Sequence, residues 1–269
     1  MPIVGAVESR DQLVAVWSRI VAARGGRPAG DDGAGPLWAG SPFGFFNALT
    51  LSGDDIPAEE LSEELVRADA FLRARPEDGY LWVFEDLLSP RARAELADRA
   101  SEAGLEIAFT GWGMDGELSP AEPHHAGLQF RRVETEDDLR TFGELNALAY
   151  DMPPAVGHEA FAGSRLWLDE AYAWLGYRNG QAVTCGAAIP SAGSLVVAFV
   201  ATLREESRRG FGQAAARQVI AEGTRATGHR RVVLHTTVAG RPVYERIGLR
   251  PATAIHFLQP TGADDSFGD

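Results

Sequence analysis

No lysine occurs in this sequence, and all 25 basic side chains are arginine. A nucleoside triphosphate loop ending in Gly-Lys-Ser/Thr is therefore excluded, because its phosphate-binding lysine has no stand-in. Cysteine is nearly absent too. Cys185 alone cannot close an internal disulfide, which fits a reducing compartment, and its setting in "AVTCGAAI" reads as a buried, inert core thiol. Long apolar runs are missing. None approaches the roughly 20 residues that span a bilayer, and the opening "MPIVGAVESRDQLVAVW" lacks the basic flank and apolar core of a signal peptide. A cytoplasmic protein without membrane contact is expected. Positive charge is scarce, since 38 acids outnumber the arginines for a formal net charge of -13. That balance argues against nucleic acid, whose phosphates ask for a basic face. His124 and His125 are adjacent but have no third ligand at useful spacing, so no metal site is expected.

What remains is a hydrophobic content of 45% in 269 residues, enough to bury a sizeable core. The charge is uneven. Residues 1 to 126 hold 22 acids against 10 arginines, whereas residues 127 to 269 hold 16 against 15. Between the halves lies "GELSPAEPHHAG", Gly116 to Gly127, rich in the residues of turns. Two domains are expected, 1–120 and 128–269, joined by a linker at 121–127.

In the first half, "SRDQLVAVWSRIVAARGG" reads as a helix capped by Ser9, and "PAEELSEELVRADAFLRAR" as an amphipathic helix. "YLWVF" reads as a buried strand, and "SPRARAELADRASEAG" as a helix leading into the strand "LEIAFTGW". This half is α/β without a phosphate loop or catalytic cluster. Trp38, Phe43, Phe45, Phe46 and Trp112 read as core in preference to a pocket lining. The second half runs strand, helix, three strands joined by the tight turns "NGQ" and "SAG", then helix, strand, short helix and strand.

"ESRRGFGQAAARQVI", Glu206 to Ile220, places two glycines one residue apart before an alanine-rich helix. A dinucleotide fold would accept Gly210-Phe211-Gly212-Gln213-Ala214-Ala215, but "REESRR" separates these glycines from their strand and the next strand ends in "LHTT", not in an acid. The other functional option is a diphosphate held by the loop and the helix N-terminus, with Arg208 and Arg209 adding charge. Taken together, "VVAFVATLREESRRGFGQAAARQVI" and "VVLHTTVAGRPVYERIGLRP" resemble the acyl-coenzyme A motif and the C-terminal motif of the GCN5-related N-acetyltransferases. The resemblance covers about Leu128 to Gln259, with Ser207 at the first loop position where the family usually has glutamine or arginine.

The resemblance implies a mixed α/β sheet of the acyl-coenzyme A N-acyltransferase fold, with the first half a degenerate second copy, as in tandem members. It implies acetyl-coenzyme A as cofactor, with Val200, Ala201 and Thr202 presenting strand backbone to the pantetheine arm. Arg208, Arg209, Gly210, Phe211, Gly212 and Gln213 would hold the pyrophosphate. Tyr244 matches the tyrosine that assists departure of the thiolate, and His235 stands where some members place a base. Asp151, Glu159 and Glu170 lie in or beside the segment that often lines the acceptor site. The implied activity is direct acetyl transfer to a primary amine of a small molecule or peptide. An acyl-coenzyme A sensor without turnover is the alternative, and a homodimer is left open.

Overall fold

The computed structural model describes residues 2–26, 36–119 and 125–263. Residues 121–124 of the expected linker, His124 among them, lie outside that set. The chain divides into two compact units. One comprises Met1–Met114, Thr236–Ala239 and Pro251–Gly268, the other chiefly Asp115–His235 and Gly240–Arg250. Where the sequence groups 128–269 together, the contacts thus place the last strand with the first unit.

In the first unit, helix α1 (Pro2–Ala23) is followed by strands β1 (Leu37–Trp38) and β2 (Asn47–Thr50), helix α2 (Ala58–Arg73) and strand β3 (Tyr80–Phe84). Helices α3 (Pro90–Ala94) and α4 (Leu96–Glu102) lead into β4 (Leu105–Glu117), and β10 (Arg250–Pro260) completes the set. The strand order is β1-β2-β3-β10-β4. β2 and β3 run parallel, while β10 lies antiparallel to β3 with Ile255 opposite Phe84 and Leu258 opposite Leu81. Leu61, Leu65, Ala68 and Leu72 recur on one face of α2 and pack with Leu81 and Val83, alternate residues of β3. Each fully buried leucine contributes roughly 1.5–3 kcal/mol relative to exposure. The other face is aromatic. Trp17 of α1 meets Trp82 edge-on at 5.5 Å, and Phe109 stacks on Phe257 at 4.3 Å. Phe43 and Phe46 are fully buried, as core residues should be.

Helix α1 starts seven residues before the expected cap. Ser9 sits inside it, buried against Gly113, where a side chain on the strand would collide with the serine. It is a small residue at a close helix–strand approach, which sequence pattern cannot tell from a cap.

The second unit contains β5 (Gln129–Arg132), α5 (Glu136–Ala149), α6 (Pro154–Phe161), β6 (Tyr172–Arg178), β7 (Gln181–Ser191) and β8 (Ser194–Thr202). Helix α7 (Phe211–Thr227), β9 (Arg231–Thr237) and α8 (Arg241–Ile247) follow. Its strand order is β9-β8-β7-β6-β5, antiparallel except for the parallel β8–β9 pair. Thr135 and Asp138 form a reciprocal capping box that starts α5. Helices α5 and α6 touch at Gly143 and Gly157, where a methyl on either residue would run into the other's carbonyl. The α7 face bearing Ala215, Val219 and Gly223 packs on β6, β7 and β8. The fold is therefore a mixed α/β one, with each unit a helix-covered mixed sheet.

Candidate cofactor and catalytic site

The parallel ladder of β8 and β9 runs from Ser194 opposite Arg231 to Val197 opposite Leu234 and stops there, although both strands continue. The cause lies on the β7 side. Ala187 faces Ala198 but Cys185 faces Ala201, so Phe199 and Val200 share the space opposite Gly186. Such a bulge bends its strand and ends regular pairing. Phe199 takes φ 55, a left-handed conformation that a bulky residue keeps only where its surroundings enforce it. Here the fully buried Phe161 and Trp167 meet its ring edge-on at 5.5 and 5.2 Å. Beyond the bulge, Val200 is half-buried, Ala201 buried and Thr202 half-buried, so the expected pantetheine strand borders the opened ladder.

β8 leads through a short helical turn at Arg204–Glu206 into the glycine loop and α7. Gly210 is the N-terminal cap of α7 with φ 80, and Arg208 is left-handed too, with φ 59. The loop's first tie to the helix is the Ala214 N–H donating to Gly210 O at 3.0 Å. The N–H groups of Phe211, Gly212 and Gln213 therefore precede the helical ladder and suit an anion. A methyl on Gly212 would stand 3.3 Å from Thr202 Oγ1, so glycine is what brings the first turn of α7 this near the end of β8. This donor set and close backbone approach fit a diphosphate. The two arginines differ. Arg209 pairs with Glu206 at 3.3 Å, and the same carboxylate accepts from Arg178 Nη1 at 2.8 and 2.9 Å. Arg208 is exposed and its side chain has no ion pair among the described residues.

His125 was not expected here. Its Nε2 lies 3.2 Å from Arg209 O, and its ring meets buried Phe211 edge-on at 5.0 Å, bracing the loop from a distant part of the chain. With no pattern linking residue 125 to residue 209, no sequence signal marks this contact.

Tyr244 lies on α8 with 8% of its surface exposed, and its hydroxyl makes no hydrogen bond among the described residues. Burial raises its phenol well above the ordinary value of 10, and the Tyr150 phenol at the end of α5 adds to the shift. Tyr150, also missed by the sequence, is pushed up to about 12 by burial and by the Cys185 thiol. His235 is half-buried, the first residue of β9 past the ladder. Asp151 is paired with Arg204, both exposed, a contact worth about 0–1 kcal/mol. Glu159 instead borders a cavity of about 500 Å³ with Glu136, Asp137, Arg140 and His158. Glu170 ends the short helical turn Leu166–Glu170 ahead of β6.

Burial also pushes the Cys185 thiol up to about 12, opposed by the Ala201 N–H and the Asn146 amide. These three groups are neutral in the folded chain and ionise earlier when unfolded. Their stability contribution is whole below the ordinary range and is lost as pH rises toward the raised values. Melting temperature should therefore fall steadily from about pH 9 to pH 12, as thermal scans monitored by circular dichroism would record. A flat profile would show that the phenols and thiol are not held in a dry interior.

No family model matches the chain, and no curated protein matches it. Solved structures do. A GCN5-related N-acetyltransferase from Kribbella flavida is 20% identical with a TM-score of 0.67, covering 95% of this chain and 96% of that one. A GCN5-related N-acetyltransferase from Sphaerobacter thermophilus is 20% identical with a TM-score of 0.53, over 74% of this chain and 66% of that one. A GCN5-related N-acetyltransferase-like protein from Streptococcus suis is 12% identical with a TM-score of 0.53, over 79% of each chain. The chain shares its mixed-sheet fold with these solved structures. More narrowly, its fold is that of the GCN5-related N-acetyltransferases.

Proposed function

We propose that this chain is an acetyl-coenzyme A dependent N-acetyltransferase that passes acetyl directly to a primary amine of a small molecule or peptide. The observation that carries the reading is the bulged strand β8, which parts from β9 after Val197 and leads into the glycine-capped N-terminus of α7. When bound, the thioester supplies the acyl group. Phe211, Gly212 and Gln213 would bind its diphosphate through N–H groups, with Arg208 as the cation at hand. Val200, Ala201 and Thr202 would hold the pantetheine arm by their backbone. Tyr244 keeps its proton at Oη and offers a hydrogen bond where a thiolate forms; His235, half-buried just past the end of the β8–β9 ladder, is the candidate to take the amine's proton. Direct transfer suits the one thiol, which is fully buried and protonated, hence unfit as a nucleophile.

Calorimetric titration with acetyl-coenzyme A, against NADH and ATP as controls, tests the reading. Selective binding near one to one supports it and justifies an amine screen by thiol release. Selective binding with no transfer to any amine would favour the sensor, and no binding would remove the proposal.

A further inference from the structure

The bulge in β8 is held by more than rings. Cys185, Thr184 and Asn146 are each fully buried polar residues beside it. The Cys185 thiol donates to Phe199 O at 3.7 Å, while its sulfur accepts from the Ala201 N–H and from Asn146 Nδ2 at 3.4 Å. Next to it, the Thr184 hydroxyl donates to Ala201 O at 2.7 Å. With that hydrogen used, the Thr202 hydroxyl is the donor to Thr184 Oγ1 at 2.8 Å. Two successive residues of β7 therefore grip the N–H and C=O of Ala201 with side chains, one residue past the bulge. Asn146 adds the third strut from α5, donating also to Phe142 O at 2.9 Å. Its Oδ1 has no partner among the described residues, so this buried amide carries an unsatisfied acceptor while its donor reaches the sulfur.

We propose that Cys185 is a positioning residue whose thiol, with the Thr184 hydroxyl and the Asn146 amide, locks the β8 bulge in the shape that parts β8 from β9. The inference deepens the transferase reading and rests on it for its effect on rate; the lock itself does not. A thiol serves because it donates and accepts in one small apolar volume. Burial keeps it protonated, so the hydrogen for Phe199 O is always present. The sequence presents the same residue as inert filler, and the two roles predict opposite rankings of variants.

Three variants separate them. Cys185→Ser keeps a donor and an acceptor, Cys185→Val keeps apolar bulk and loses both, and Cys185→Ala loses bulk as well. Hydrogen exchange of the segment 198–203 is measured beside kcat, KM and the acetyl-coenzyme A dissociation constant. For Cys185→Val, exchange in that segment should rise about tenfold, with little change in α7 or β6. Its kcat should drop about tenfold with a smaller change in KM, because a displaced strand misaligns the donor more than it weakens binding. Cys185→Ser should recover most of both losses. A valine variant that equals or exceeds the serine variant in exchange and in kcat would overturn the proposal, as would loosening spread evenly through the unit. If the wild-type chain neither binds acetyl-coenzyme A nor transfers, the functional reading fails, and the exchange series alone then decides for or against the lock.

Discussion

Replacing Tyr244 by phenylalanine is expected to lower kcat for acetyl transfer about 10²-fold while leaving the acetyl-coenzyme A dissociation constant within about twofold. The ring is buried on α8 and phenylalanine preserves it, so packing and fold should survive. What disappears is one hydroxyl with no other hydrogen bond to make among the described residues. That hydroxyl is a poor acid. An ordinary phenol has a pKa of about 10 against about 8.5 for a thiol, and burial with the neighbouring Tyr150 phenol raises it further. It therefore contributes by donating a hydrogen bond to charge that develops in the transition state, without giving up its proton. Kinetics with acceptors of graded basicity should show the loss in kcat and not in affinity. Transfer unaltered in Tyr244→Phe would remove the tyrosine from the mechanism and leave it a core residue.

Gly210→Val should weaken acetyl-coenzyme A binding by at least about 10²-fold and leave a folded protein. The reason is conformational. A methyl at position 210 would meet only the His125 ring, at 3.7 Å, which is ordinary contact. The residue's φ of 80, however, lies where β-branched side chains are strongly disfavoured, so the loop must re-form and the three leading N–H groups of α7 lose their common aim. Gly210→Ala, with about 1–2 kcal/mol of left-handed strain, should weaken binding by roughly tenfold. Calorimetry with a parallel melting curve reads both. Because α7 is anchored through Ala214, Ala215 and Val219 well inside the helix, unfolding is not expected. Binding unchanged in Gly210→Val would detach the loop from the cofactor.

Much of the second unit was legible because its signals are local. Thr135 with Asp138 announces α5, the left-handed Asn179-Gly180 and Ala192-Gly193 pairs make the turns of the β6–β8 meander, and Gly210 opens α7. The parts that open the site were not. Nothing in "VVAFVATL" marks Phe199 as left-handed, since its φ is enforced by Phe161 and Trp167 from another segment and by the Cys185 thiol from the next strand. Tyr150 and His125 enter by the same route, through contacts that exist only after folding. A strand's alternation also says which side chains are buried without naming its neighbour, and so β10 could not be placed beside β3 from its pattern.

That placement bears on how the protein can be made and cut. Most of the first unit is synthesised before the second, yet the strand between β3 and β4 is made only after β5–β9. Until about residue 258 emerges, the nascent first unit carries an open slot flanked by two unpaired strand edges, the kind of surface that captures foreign strands. Separate expression of residues 1–120 and 128–269 would make that state permanent, leaving one fragment short of a strand and the other with a strand that has no sheet. Supplying both pieces in one cell would be the way to produce the first unit intact.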